Sequence, residues 1–262
     1  MSATTATLTQ RIRDREPLLG TFVSLGSATV TNLLASVGYD FLLIDLEHGA
    51  GSEAILQGQL FAAEAEGVAA MVRTETFDRI RIGRVLDLGA RAVMLPRVDT
   101  PAQCAGAVAH LRYPPVGDRG VASSNRARGW STRTGSFTDA NREIAAVVQI
   151  ESAEAVESVE EIAAVDGVDA LFVGPSDLSH SLGVPGELES PAFTDALERV
   201  LQAARAHDLA AGILAPTPER ARALHEQGFT LIVLSADVNM LAAAARDAVT
   251  RTRDALGRTR AG

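Results

Sequence analysis

Two acidic residues, Glu151 and Asp177, each come at or shortly after the end of an apolar run. They lie one strand–helix repeat apart, so we expect them on neighbouring strands of a parallel sheet, with their carboxylates close together. Two such carboxylates repel each other unless a cation lies between them. The strand-end motifs contain no cysteine and no histidine other than His48, and oxygen ligands suit Mg²⁺, Mn²⁺ or a similar divalent ion. The alternative is that each carboxylate caps the helix that follows it.

A histidine and an arginine follow two earlier apolar runs in the same way. His48 lies in the polar turn Asp45–Gly49, where a neutral imidazole can act as a general base near pH 7. Arg73 ends an otherwise apolar strand, so we expect its guanidinium to point inward and to pair with Glu47 or an anionic substrate. A purely structural role is the alternative for both residues.

Together these side chains describe a metal ion, a base and a cation in one cleft. Such a set can bind a 2-oxo acid through its carboxylate and keto oxygens. It can also remove a proton next to the carbonyl group and stabilise the resulting enolate. The pattern therefore favours an enzyme.

The elements that must position these residues are eight short apolar runs that alternate with helical patterns along the chain. This alternation is typical of repeated βα units, and runs that are nearly continuous in apolar residues indicate strands buried on both faces. The predicted strands are Gly20–Ser24, Phe41–Ile44, Ala70–Val72, Ala92–Leu95, Ala146–Ile150, Ala170–Val173, Ala210–Leu214 and Leu231–Leu234. Eight parallel strands close into a (β/α)8 TIM barrel, whose active site lies at the C-terminal ends of the strands. We predict one barrel domain that spans residues 1–262.

The composition argues against several other classes of protein. A net charge of −9 argues against nucleic-acid binding, which requires a concentrated basic surface. No apolar run is long enough to cross a membrane, and the opening Met1–Thr5 has no targeting pattern, so we expect a cytoplasmic protein. The single cysteine, Cys104, excludes an internal disulfide and is expected on a surface helix.

The longest irregular stretch runs from Tyr113 to about Ser136. Long loops in compact domains are usually functional or disordered, and this one is expected to shape the site or a subunit contact. Its arginines 126, 128 and 133 either receive a carboxylate of the substrate or are simply solvated.

Four motifs, in this order, resemble those of the HpcH/HpaI family of class II pyruvate aldolases, within the pyruvate and phosphoenolpyruvate barrel superfamily. They are Ile44–His48, Tyr113–Pro115 with Arg119–Val121, Val148–Glu151 and Val168–Ser179. The resemblance covers nearly the whole chain and implies a lyase with a divalent metal cofactor, Mg²⁺, Mn²⁺ or Co²⁺. The implied reaction is reversible cleavage of a 4-hydroxy-2-oxo acid to pyruvate and an aldehyde.

The resemblance also implies a role for each matching residue. Glu151 and Asp177 correspond to the metal ligands, Arg73 to the stabiliser of the transition state and His48 to the proton acceptor.

The remaining matches concern substrate binding. Gln149 and the backbone amide of Ser176, in a segment that includes Gly174 and Pro175, correspond to the groups that hold the pyruvate moiety. Phe22 and Leu214 are expected to line the aldehyde pocket. The loop of residues 119–127 resembles the branch of the family that acts on sugar acids.

Asp87 matches an acid that raises the basicity of the histidine in this family. Its predicted position is on a helix outside its own barrel, so it could reach only His48 of a neighbouring subunit. Family members are similarly hexameric and exchange C-terminal helices, which correspond here to residues 237–256. Asp45, in the same turn as His48, is the competing partner within one chain.

The chain contains no lysine at all, so a Schiff-base mechanism is excluded. Two rival interpretations remain. One is a lyase for citramalyl or malyl thioesters from the same superfamily, and the other is a non-catalytic barrel that serves as a binding subunit.

Overall fold

The computed structural model describes residues 6–257 except residue 133. Within these residues, eight parallel strands form a closed barrel in sequence order, with the last strand paired to the first. The strands are β1 (Leu18–Val23), β2 (Phe41–Asp45), β3 (Ala69–Arg73), β4 (Ala92–Leu95), β5 (Ala145–Ile150), β6 (Ala170–Val173), β7 (Ala210–Ala215) and β8 (Leu231–Ala236). The predicted (β/α)8 barrel is confirmed, and each predicted strand agrees with an observed one to within two residues at either end.

Twelve α-helices accompany the strands in the described part of the chain. They are α1 (Leu8–Arg13), α2 (Ala28–Ser36), α3 (Glu53–Ala65), α4 (Arg79–Asp87), α5 (Pro101–Leu111), α6 (Phe137–Ala140), α7 (Ala153–Glu157), α8 (Val159–Ala163), α9 (Pro175–Ser181), α10 (Pro191–Ala206), α11 (Pro218–Gln227) and α12 (Asp237–Ala255). None of the helices described here is both long enough and apolar enough to span a membrane.

Side chains along each strand alternate between the inside and the outside of the barrel. In β2, Leu43 belongs to the core inside the barrel, whereas Leu42 and Ile44 belong to the larger core between the sheet and the helices. The next inward position is Asp45, the last residue of the strand. Polar residues at the strand ends therefore project into the mouth of the barrel, at the C-terminal ends of the strands.

Two phenylalanine rings fill the barrel below its mouth. A Cβ atom on Gly20 would lie 2.5 Å from the ring of Phe41, and a Cβ atom on Gly212 would lie 2.5 Å from the ring of Phe172. Each ring thus occupies space that only a glycine leaves free. The resulting packed interior supports the residues at the mouth from below.

Two parts of the chain are more buried than the sequence pattern indicated. Helix α1, whose six residues were too few to show a period, places Leu8 and Ile12 in the core inside the barrel. Cys104 lies on the outer helix α5, as expected, but its side chain faces the core, and burial raises the pKa of its thiol to about 12.

Helix α12 packs on the barrel mainly at its first turn. Asp237 is buried, and its carboxylate accepts the amides of Ser24 and Leu25 at 2.9 and 3.0 Å. The rest of the helix is exposed or half-exposed, including the apolar residues Leu241 and Val249, which are 61% and 49% exposed.

Candidate active site

Arg73 is held by a two-point ion pair at the mouth of the barrel. Asp45 and Arg73 are the last residues of β2 and β3 and lie in register. Nε and Nη2 of Arg73 donate to the two carboxylate oxygens of Asp45 at 2.9 and 2.8 Å, which fixes the plane of the guanidinium. Nη1 lies 3.3 Å from Oε2 of Glu47, so the expected contact with Glu47 is present, but Asp45 is the closer partner.

The ring of Phe22 supports the same guanidinium from one side. The central carbon of Arg73 lies 4.7 Å from the centroid of the ring. This distance is typical of a cation–π contact. Phe22, expected to line the aldehyde pocket, therefore also contacts Arg73. Leu214 is partly buried at the inner face of β7.

Asp45 shapes the turn that carries His48, and its carboxylate makes no contact with the imidazole. Oδ1 of Asp45 accepts the backbone amides of Glu47 and His48 at 3.1 and 3.4 Å. The His48 side chain is 67% exposed, and its Nε2 atom lies 3.9 Å from Oε2 of Glu47. The competing pairing of Asp45 with the His48 imidazole, expected from the sequence, is therefore not formed in this structure.

Glu151 is almost fully buried at the end of β5. Its Oε1 atom accepts the backbone amide of Arg97 at 2.8 Å, and its Oε2 atom accepts a hydrogen bond from the side-chain amide of Gln149. The following helix, α7, is capped by Ser152, whose hydroxyl accepts the amide of Ala155. The alternative in which Glu151 caps that helix is therefore wrong.

Three carboxylates interact electrostatically at the mouth. Burial raises the pKa of Glu151, and the negative charges of Glu47 and Asp177 raise it further, while the hydrogen bond from the Arg97 amide opposes the shift. Burial also raises the pKa of Glu47, against the effect of Arg73. Acids whose negative charges raise one another's pKa form a favourable environment for a cation.

The residues at this position fit a divalent cation held by two carboxylates. Glu151 and Asp177 would supply the carboxylates. The described residues contain no group of three or more metal-binding side chains, so water and substrate would have to complete the coordination. Oε1 of Gln149 is buried without a hydrogen-bond partner among the described residues. A buried acceptor of this kind requires a donor, which the water molecules around a bound cation would supply.

Gly174 makes room for the buried pair. A Cβ atom at this position would lie 2.8 Å from Oε2 of Glu151 and 2.9 Å from Nε2 of Gln149. Helix α9 begins at Pro175, and Gly174 provides no side chain to cap it. The first amides of α9, including that of Ser176, therefore have no partner from a capping side chain.

Two arginines of the long loop are engaged away from the mouth. Arg126 donates to the backbone oxygen of Leu88 at 2.9 Å and stacks on Phe61, near the N-terminal end of β4. Arg128 is buried and donates to the backbone oxygen of Gly135 at 2.7 Å. The two expected alternatives were binding of a substrate carboxylate and simple solvation. Neither applies, because Arg126 and Arg128 are bonded within the chain, away from the mouth. Arg133 lies outside the described residues.

Asp87 lies far from His48 of its own chain. It ends α4, and in a barrel the helices run back from the mouth, so Asp87 is at the opposite end of the barrel. Its Oδ1 atom accepts a hydrogen bond from Nη2 of Arg119 at 2.9 Å, a contact that the sequence reasoning missed.

Comparisons with known proteins place this geometry in a family. Residues 18–244 match the model of the family described as HpcH/HpaI aldolase/citrate lyase. The chain is 39% identical over 259 residues to the hydroxypyruvate/pyruvate aldolase of Paraburkholderia phytofirmans, covering 97% of this chain and 100% of that protein. It is 37% identical to the 5-keto-4-deoxy-D-glucarate aldolase of Salmonella paratyphi C, covering 84% and 86% of the two chains.

A solved structure shows the same fold over nearly the whole chain. The HpcH/HpaI aldolase/citrate lyase family protein from Burkholderia cenocepacia superimposes with a TM-score of 0.90 at 42% identity, covering 94% of this chain and 98% of that one. The two proteins therefore share the same barrel fold. The chain belongs to the HpcH/HpaI aldolase/citrate lyase family.

Proposed function

We propose that the protein is a divalent-metal-dependent aldolase that reversibly cleaves 4-hydroxy-2-oxo acids to pyruvate and an aldehyde. The observation that carries this proposal is the buried Glu151, which interacts with Asp177 at the same barrel mouth that holds Arg73. The proposal is also supported by two relatives of this chain that are named aldolases.

Glu151 and Asp177 would hold the metal ion. When bound, a divalent cation polarises the carbonyl group of the 2-oxo acid and stabilises the negative charge of the enolate. Gln149 and the first amides of α9, which no side chain caps, would bind the carboxylate and keto oxygens of the pyruvate moiety. This arrangement would orient the bond that breaks toward His48 and Arg73.

His48 is the group we assign to proton transfer. It accepts the proton of the 4-hydroxyl group as the C3–C4 bond breaks, and the electron pair of that bond forms the enolate of pyruvate. The second fragment leaves as the aldehyde, and the enolate then takes up a proton at C3. Arg73, oriented by Asp45 and Phe22, stabilises the negative charge that develops on the reacting groups.

The aldehyde fragment would be small and polar. One relative is named 5-keto-4-deoxy-D-glucarate aldolase, after a substrate with hydroxyl groups and two carboxylates, which supports an aldehyde that carries hydroxyl groups or a carboxylate. Phe22 and Leu214 would form the apolar part of its pocket.

The active enzyme would be an oligomer, built as a hexamer with exchanged α12 helices. The support within this chain is the exposure of α12 beyond its first turn. Apolar side chains such as Leu241, Val249 and Leu256 are costly to leave in water along one helix.

The test is pyruvate release from a panel of 4-hydroxy-2-oxo acids by enzyme stripped of metal, with and without Mg²⁺, Mn²⁺ or Co²⁺. We expect metal to restore cleavage, and we expect Glu151→Gln and Asp177→Asn to remain inactive while keeping the native fold by circular dichroism. Full turnover in chelator would contradict the metal mechanism. Cleavage of malyl- or citramalyl-coenzyme A without any pyruvate aldolase activity would establish the thioester lyase instead.

A further inference from the structure

Arg119 is a buried cation with only one acidic partner in the described part of the chain. It is 3% exposed, and Nη2 donates to Oδ1 of Asp87 at 2.9 Å. Its Nε atom is buried without a hydrogen-bond partner among the described residues. Burying a charged guanidinium with an unpaired donor is costly, and an apolar residue would fill the same space at lower cost. A packing role alone does not account for an arginine here.

The surroundings of Arg119 fix its orientation. The guanidinium lies over the ring of Tyr113, 4.3 Å from its centroid. The side-chain amide of Asn141 bonds both the amide and the carbonyl of Tyr113, at 2.7 and 3.1 Å, and Phe137 packs edge-on against the ring at 4.8 Å. Tyr113 is therefore a rigid support for the guanidinium.

The backbone on either side of Arg119 is also held in place. The amide of Arg119 bonds the carbonyl of Arg112 at 2.9 Å, at the end of α5. A Cβ atom on Gly117 would lie 2.2 Å from the carbonyl oxygen of Ala109, so the chain passes closely over the end of that helix. Both the side chain and the backbone of Arg119 thus have one defined position.

Asp87 is the more exposed member of the pair, and its carboxylate is partly open to solvent. Its side chain is 34% exposed, and only Oδ1 is held by Arg119. Oδ2 makes no hydrogen bond with the described residues, so it can accept one from a group outside this chain. A carboxylate that orients a histidine must be held in one rotamer, because a small displacement of the contact reduces catalysis.

We propose that Arg119 is a positioning residue that fixes the Asp87 carboxylate for contact with His48 of a neighbouring subunit. The proposal rests on the oligomeric aldolase of the preceding section. Arg119 touches neither the substrate nor the metal ion, and it acts through Asp87 alone. In this way residues Tyr113–Arg119, at the start of the long loop of one subunit, would affect proton transfer by His48 of another.

The experiment is a double-mutant cycle on pyruvate release by the metal-saturated oligomer. Arg119→Met, Asp87→Asn and the double variant are compared with the wild type for kcat and KM. Arg119→Met is expected to lower kcat about tenfold with KM within about twofold, because substrate contacts are unchanged. In the Asp87→Asn background, the same substitution is expected to cost nothing further.

Two further variants separate positioning from stability. Arg199→Met removes an arginine that bonds Glu160 through two contacts of 2.9 Å elsewhere on the barrel, and it is expected to leave kcat unchanged. Arg119→Lys keeps the charge but loses the planar stacking, and it is expected to recover part of kcat. If Arg119→Met does not fold, the Lys variant completes the cycle, and its loss must also vanish in the Asp87→Asn background.

The outcomes distinguish this proposal from the proposed function. A wild type that releases no pyruvate with any metal ion overturns both. An active wild type whose Arg119 variants keep full kcat, or lose it by the same factor with and without Asp87, overturns the positioning role alone. Full activity of Asp87→Asn in an intact oligomer, measured by light scattering, also overturns it.

Discussion

Asp45 and Arg73 face each other across β2 and β3 and share two hydrogen bonds, of 2.9 and 2.8 Å. Both residues are buried, and they are the last residues of their strands. The pair therefore turns the guanidinium toward the space above the barrel core. Because the pair is buried, its disruption affects stability as well as chemistry.

The first prediction concerns the strength of this pair. Asp45→Asn should lower the free energy of unfolding by about 3 kcal/mol, because it leaves the Arg73 charge buried with only Glu47 nearby. Urea denaturation measures the change. In the exposed pair of Arg199 and Glu160, Glu160→Gln should cost less than about 1 kcal/mol. Equal losses of unfolding free energy for Asp45→Asn and Glu160→Gln would contradict the idea that burial makes the Asp45–Arg73 pair more important for stability.

The second prediction concerns the space left by Gly174. Gly174→Ala should weaken binding of Mn²⁺ at least roughly tenfold, because the new Cβ atom displaces Glu151 and Gln149. Isothermal titration calorimetry on the metal-stripped protein measures the affinity. The control is Gly106→Ala in α5, where a Cβ atom meets nothing within 4 Å. Unchanged Mn²⁺ affinity of the Gly174 variant would show that Glu151 is not a ligand.

The third prediction concerns Cys104. Burial raises the pKa of its thiol to about 12, so below that pH the thiol stays protonated in the folded protein. The thiolate is the reactive form, and access is also blocked. Folded protein at about pH 8 should therefore react with a disulfide reagent at least roughly a hundredfold more slowly than protein unfolded in urea. Rapid labelling of protein that remains folded would contradict the buried position.

The fourth prediction concerns α12. Leu241→Glu should shift the protein toward smaller species in light scattering, because a new charge cannot be buried against a neighbouring subunit without cost. Far-ultraviolet circular dichroism should not change, since Leu241 is 61% exposed in the single chain. Arg222→Glu introduces the same charge at an exposed position of α11 and should leave assembly intact. An unchanged assembly of the Leu241 variant would exclude α12 from the interface.

The strands were predictable because their signal is local. Runs such as Phe41–Ile44 and Ala170–Val173 are apolar on both faces, and both faces of each strand are buried in the barrel. The positions of Arg73 at the end of β3 and of Glu151 directly after β5 followed from the same runs, as did that of Asp177 in the first turn of α9 after β6.

Pairings between distant segments were not predictable in the same way. The sequence reasoning offered Asp45 as the competing partner of His48 within one chain, because the two residues share a turn. The register of β2 and β3 instead brings Asp45 to Arg73. The sequence did contain a signal for this pairing, since Asp45 and Arg73 each directly follow the apolar run of one of two neighbouring strands.

The amino-acid sequence by itself determined the barrel and the identity of the polar residues at its mouth, because hydrophobic patterning acts over a few residues. The absence of lysine also excluded a Schiff-base mechanism. Only the tertiary structure decided which charges pair, whether the side chain of Cys104 is buried and which arginine holds Asp87. Those contacts depend on strand register and on loops that pack over distant helices. The free energy of such contacts comes from the burial that the closed fold creates, and no short segment of the chain contains that information.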